Sequence, residues 1–125
     1  MDEFYLPEDM IEWLSLKKSE YLSKLILAVT EDDIPFEEYT QFDELIPATL
    51  SQPDWSAETI EDRQRIKTFF RTFADPERLY QIVIGVLVPD QNKNDVFVPI
   101  ITFVTRKEGL VRHFNAGKIS RPTLN

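Results

Sequence analysis

Apolar positions recur at helical spacing near the start of the chain. Met10, Ile11, Leu14, Tyr21, Leu22, Leu25 and Ile26 predict an amphipathic helix from about Pro7 to about Ala28, with a break at Lys17-Lys18. Proline suits the first helical position, where its missing N–H is not needed. Glu8, Asp9 and Glu12 then sit at the positive end of the helix dipole. The run LILAV, Leu25 to Val29, reads equally as a last helical turn or as a short strand. From residue 30 to 55 no period is sustained, and Pro35, Pro47 and Pro53 interrupt the chain. That segment is read as a structured connection with one short strand near Glu38 to Phe42.

A second helix is predicted from Ser56. Serine is a good N-cap, Glu58 falls in the first turn, and Trp55 and Ile60 occupy the two positions of a hydrophobic staple. Ile66, Phe69, Phe70 and Phe73 would form its buried stripe, with Arg63, Arg65, Lys67 and Arg71 on other faces. Ala74-Asp75-Pro76 would end it, because the residue before proline disfavours helix. Two apolar runs rich in β-branched residues follow, LYQIVIGVLV (Leu79 to Val88) and VFVPIITFV (Val96 to Val104). They predict strands covered on both faces, paired as an antiparallel hairpin through the polar link PDQNKND. Pro99 has no N–H for a ladder, which predicts a bulge or an edge there. Leu110 to Phe114 is read as a last short strand, and Asn115 to Asn125 as a loosely ordered tail. The expected fold class is α+β.

The length, 125 residues with 42% apolar content, fits one domain over residues 1–125. Its core is expected over about 7–108, with a C-terminal extension over 109–125. No apolar run is long enough to span a membrane. The N-terminus MDEFYLPEDM carries acids where a signal peptide needs a positive region. Cysteine is absent, which removes disulfides and thiolate metal sites. A soluble, cytoplasmic protein is expected.

Charge is divided along the chain. Residues 1–62 carry 17 acids and 3 lysines, and residues 63–125 carry 5 acids and 11 basic residues. The acidic half repels nucleic acid and attracts basic surfaces. Its densest part is TEDDIPFEEY, Thr30 to Tyr39, with five acids in ten positions beside Ile34, Pro35, Phe36 and Tyr39. Acids beside such anchors suggest a rigidly held acidic edge.

Catalytic constellations are scarce. Gly85, Gly109 and Gly117 do not form a phosphate-binding loop. His113, the one histidine, lacks a nucleophile motif and reads as a surface residue. Glu31, Asp32 and Asp33 are consecutive and do not converge on a calcium ion without a turning glycine. Arg112, Lys118 and Arg121 make a basic tail with little aromatic interleaving, read as solvated and not as a nucleic-acid arm. The chain is expected to be no enzyme, to need no cofactor and to hold no metal of its own.

The ordered set LILAVTEDDIPFEEY, SQPDWSAETIEDRQRIKTFFRTF, ADPERLYQIVIG and VFVPIITFVT resembles the nuclease A inhibitor family over about residues 7 to 108. The resemblance implies a three-layer α/β/α sandwich around a mostly antiparallel sheet. It also implies inhibition of a magnesium-dependent, sugar-non-specific nuclease through an acidic loop that occupies the basic active-site cleft. By position Glu31 would reach a metal held by the partner, with Thr30 in the small-hydroxyl place before it. Asp32, Asp33, Glu37 and Glu38 would meet basic residues that otherwise hold the nucleic-acid backbone. The sequence departs from the family at FVTRKEG, Phe103 to Gly109, where a glutamate-threonine pair is replaced by Arg106 and Lys107. The connection from Tyr39 to Pro53 is also short. The partner expected is therefore a protein, with neither nucleic acid nor membrane, and the chain itself a monomer. The alternative is a scaffold of the same fold that binds another protein without inhibiting it.

Overall fold

The computed structural model describes residues 7–74, 78–89, 94–114 and 118–120. Helix α1 spans Glu8–Ala28 as expected, running through Lys17-Lys18 without a break. Pro7 lies just before it as the N-cap, one position earlier than read. Lys17 is buried because its ammonium finds carboxylates, with Glu61 at 2.8 Å, Glu20 at 3.3 Å and Asp62 at 3.8 Å. A 3-10 helix over Phe36–Leu45 replaces the strand expected near Glu38 to Phe42 and leads into α2, Ile46–Ser51.

The largest departure from the sequence reading lies between Trp55 and Phe73. No helix forms there. The segment is a hairpin of β1, Trp55–Glu61, and β2, Gln64–Phe73. Its loop is Asp62-Arg63, both at positive φ (53° and 68°), which is the backbone of a two-residue turn matched to strand twist. Ser56 pairs with Phe69 across the ladder and caps nothing. The residues of the supposed stripe split between the two sheet faces. Ile66 and Phe70 join one buried cluster, whereas Phe73 packs with the other.

The remaining strands are β3, Leu79–Val88, and β4, Val96–Thr105, which form the expected hairpin. The ladder slips between Ile84 and Gly85, which face Ile101 and Pro99, so Ile100 is the extra residue of a bulge beside the proline. A Cβ on Gly85 would lie 2.5 Å from the Val98 carbonyl oxygen and 2.6 Å from the Phe97 ring, so only glycine fits under the bulged strand. Leu110 to Phe114 is not a strand. It falls in α3, Glu108–His113, and the residue after it. Lys118–Ser120 forms β5 within the expected tail.

The five strands are ordered β4-β3-β2-β1-β5, and every pair is antiparallel. The fold class is α+β, as expected. The chain leaves edge strand β4, passes through α3 and returns to the opposite edge as β5. Burial follows strand parity. Tyr80, Ile82, Ile84, Val86 and Val88 join the larger cluster with Leu25 of α1 and Leu110, Val111 and Phe114 of the α3 segment. Leu79 joins Val104, Phe73 and Ile34, packed against Tyr39, Phe42 and Leu45. The core thus extends past residue 108, because α3 contributes buried side chains. Among the described residues no helix is long and apolar enough to cross a membrane.

Candidate functional site

The acidic stretch begins where α1 stops. The Val29 N–H still bonds the Leu25 carbonyl, but Val29 itself is extended, and the chain turns through Thr30 to Asp33, whose N–H donates to the Thr30 carbonyl at 3.2 Å. The turn is tied to the end of β4 by Asp33. One of its carboxylate oxygens accepts the Ile34 N–H at 2.8 Å and the Arg106 N–H at 2.9 Å. The other accepts the hydroxyl of Thr105, a fully buried side chain. The Thr105 oxygen in turn accepts the Lys107 N–H at 3.0 Å. Beneath this knot Ile34 is 6% exposed and packs on Leu79 and Val104. Four polar groups are thereby satisfied around one carboxylate, which is how a charge is tolerated at 9% exposure.

Asp32 makes a second, outer tie. It accepts from Lys107 Nζ at 2.6 Å and from Thr30 Oγ1 at 2.5 Å. The lysine beside it, helped by the threonine hydroxyl, pulls its carboxyl down to about 2, and the same pair raises Lys107. Both side chains are in water, so the pair orients the loop more than it stabilises the fold. Glu31 lies between these ties in sequence. It is exposed and takes part in no hydrogen bond or ion pair among the described residues.

The six residues expected to meet a partner are therefore not equivalent. Thr30, Glu31 and Asp32 are exposed on one clamped turn. Asp33 is turned inward and serves as the clamp, a correction to its expected role, since its oxygens are taken by Thr105, Arg106 and Ile34. Glu37 is exposed and Glu38 half-buried at the start of the 3-10 helix. Phe36 was expected to bury this stretch. It is 40% exposed, its ring 5.3 Å from that of Tyr39. Tyr39 is the deeper anchor. Its hydroxyl is buried without a hydrogen-bond partner among the described residues, and burial together with the Asp33 charge pushes it up to about 12.

The basic residues Arg106 and Lys107 form the other wall of an open cleft of about 560 Å³, facing Thr30, Asp32 and Asp33, with Glu108 and Gly109 at its side. Sequence reasoning noted these two as a departure from a family pattern and missed that Lys107 binds Asp32 through its ammonium, while Arg106 binds Asp33 through its backbone N–H. The complementary signs of TEDD and TRKE were the available signal.

A second polar cluster lies under α1. Glu61 accepts from Lys17 Nζ at 2.8 Å and from the Tyr21 hydroxyl at 2.9 Å. Burial and this carboxylate raise Tyr21. For Lys17, burial opposes the charge, but its hydrogen bonds to Glu61 and Glu20 outweigh it and leave the group raised. Trp13 Nε1 donates to Asp62 at 3.0 Å, so the same cluster fastens the β1–β2 turn to the helix. His113 is exposed at the end of α3. Among the described residues no three His, Cys, Asp or Glu side chains group to hold a metal ion. No family model matches the chain, and no curated protein or solved structure matches it either.

Proposed function

We propose that this chain is a small acidic protein-binding domain that presents Glu31 to a cationic cleft of a partner protein. The form of cleft that the sequence resemblance favours is the active site of a metal-dependent nuclease, which the domain would block. The observation that carries the reading is the unpaired, exposed Glu31 on a turn clamped by Asp33 from inside and by the Asp32–Lys107 pair from outside. A carboxylate on a rigid support loses little freedom on binding, so more of its interaction appears as affinity. In a nuclease it would occupy the place of a scissile phosphate, at a metal the partner holds. Thr30 and Asp32 flank it, while Glu37 and Glu38 act through the acidic field that speeds encounter with a basic surface.

In this reading the two clusters on opposite sheet faces are the outer interfaces of a three-layer α/β/α sandwich. The domain works in the cytoplasm as a monomer, with no catalysis and no cofactor of its own. The resemblance rests in part on SQPDWSAETIEDRQRIKTFFRTF read as a helix, whereas the residues after Trp55 form a hairpin. The fold therefore supports the inhibitor reading less than the loop does.

The second reading, a scaffold that binds another protein without inhibiting it, is favoured by one observation. Lys107 and Arg106 lie beside the loop and would oppose a strongly cationic cleft. The two separate in a cleavage assay. A sugar-non-specific, magnesium-dependent nuclease is titrated with the protein at low and moderate salt. Stoichiometric loss of DNA cleavage at both salts is expected of the inhibitor. Undiminished cleavage across several such enzymes would favour the scaffold.

A further inference from the structure

Helix α1 is apolar on both sides. Its inner face places Met10, Trp13, Leu14, Tyr21 and Leu25 against the core. Yet its outer side exposes Ile11 (53%), Leu16 (67%), Leu22 (36%), Ile26 (60%) and Leu27 (88%), five of the seven large exposed hydrophobic side chains among the described residues. Scattered exposed leucines carry no message, but five large apolar side chains on one side of one helix do. At about 100° per residue, Ile11, Leu22 and Ile26 fall within about 60° of one another, and Leu16 and Leu27 lie on a second line roughly 120° away. Glu12, Ser19 and Ser23 lie between the lines and are exposed, so the outer side carries two apolar margins about a polar strip.

Charge frames this patch at both ends. Glu8 and Asp9 precede it, Glu12 lies within its first turn, and Glu31 and Asp32 follow within a turn of the helix end. Of the lysines of α1, Lys17 is turned inward to Glu61 and Lys24 lies over the Phe114 ring at 4.7 Å, leaving Lys18 on the outer side. We propose that the outer face of α1 is a docking surface for an amphipathic helix of another protein, apolar on its inner side and basic at its flanks.

Charge complementarity selects this occupant. A second copy of the chain would bring acidic ends against acidic ends in parallel and antiparallel arrangements alike, which costs affinity. A lipid surface is disfavoured for the same reason, since interfacial helices carry lysine and arginine toward anionic headgroups. A helix laid along α1 would use anchors spaced three, four and seven residues apart, the usual geometry of such recognition. The proposal does not rest on the inhibitor reading: it is carried by the exposed apolar side chains of α1 and shares with that reading only the acids Glu31 and Asp32 at the end of the helix.

The test is a titration of the isotopically labelled protein, followed by backbone amide shifts, with a synthetic leucine–lysine peptide of helical amphipathic order. A peptide of the same composition in scrambled order is the control. Shifts are expected along the outer positions of α1, with affinity at least about tenfold weaker for the scrambled peptide and for the double variant Ile26→Ser, Leu27→Ser. That variant should keep the parent melting temperature, since both side chains are exposed. Equal binding of both peptides, shifts centred elsewhere, or no binding would overturn the proposal. So would a parent dimer in sedimentation that the double variant dissolves, or parent binding to phosphatidylserine vesicles that it abolishes.

Discussion

The Asp33 carboxylate and the Thr105 hydroxyl, 72 positions apart in the chain, are hydrogen-bonded where the acidic loop meets the end of β4. The same carboxylate holds the Arg106 and Ile34 N–H groups. Its removal orphans a buried hydroxyl and two amides together. Asp33→Ala is expected to cost about 3 kcal/mol in urea unfolding. A cost below about 1 kcal/mol would mean that the loop is held by Ile34 alone.

The outer tie is read by titration. Asp32 is pulled down to about 2 from an ordinary 3.8, so the pair with Lys107 is complete above pH 4 and fades as pH falls through about 2. The Asp32 side-chain carboxyl carbon should titrate near 2 in the parent by nuclear magnetic resonance. In Lys107→Met it should move back toward 3.8, stopping short because the Thr30 hydroxyl remains. An unchanged midpoint would remove Lys107 as the cause.

Arg63 sits at φ 68°, where a side chain is strained and glycine is not. Arg63→Gly should therefore stabilise the protein by about 1 kcal/mol. In the helix expected from the sequence, the same change would destabilise by about 1 kcal/mol. The sign of the shift in melting temperature decides between the two.

Phe70 is stacked between Trp55, ring centres 4.8 Å apart, and Tyr80, 5.5 Å apart. Phe69 is half-buried and meets Phe97 edge-on at 5.1 Å. Phe70→Ala should cost about 3–5 kcal/mol and Phe69→Ala about half of that. Equal costs would place both rings on one buried face, as a helix would.

Elements whose local preference agrees with their tertiary setting were legible in the sequence. Helix α1 has its apolar spacing, and β3 and β4 have runs of β-branched residues with Pro99 marking the bulge. The β1–β2 hairpin was not legible. Ser56, Glu58 and the spacing of Ile66, Phe69, Phe70 and Phe73 satisfy a helix template, while the turn is Asp-Arg and not the Asn-Gly that announces such hairpins. The alternation of Ile66, Thr68 and Phe70 was the competing signal, and pairing with β3 decided the outcome. α3 and β5 escaped notice because each is short and stabilised by packing or pairing with distant residues. In the loop, the concentration of acids was plain. The division of labour among them was not, because it depends on Thr105, Arg106 and Lys107, more than 70 positions away.

The central claim is that one acid of this loop is presented and the others support or steer it. The most direct measurement compares Glu31→Ala with Glu38→Gln for affinity and dissociation rate against a nuclease that the parent inhibits, at moderate salt. A carboxylate that loses its water at a partner's metal or arginine should be worth about 2–5 kcal/mol, mostly as faster dissociation. Glu38→Gln should change only the association rate and its salt dependence. The two variants are expected to differ by at least about tenfold in Kd. Equal effects would contradict the claim and leave a diffuse acidic patch in its place.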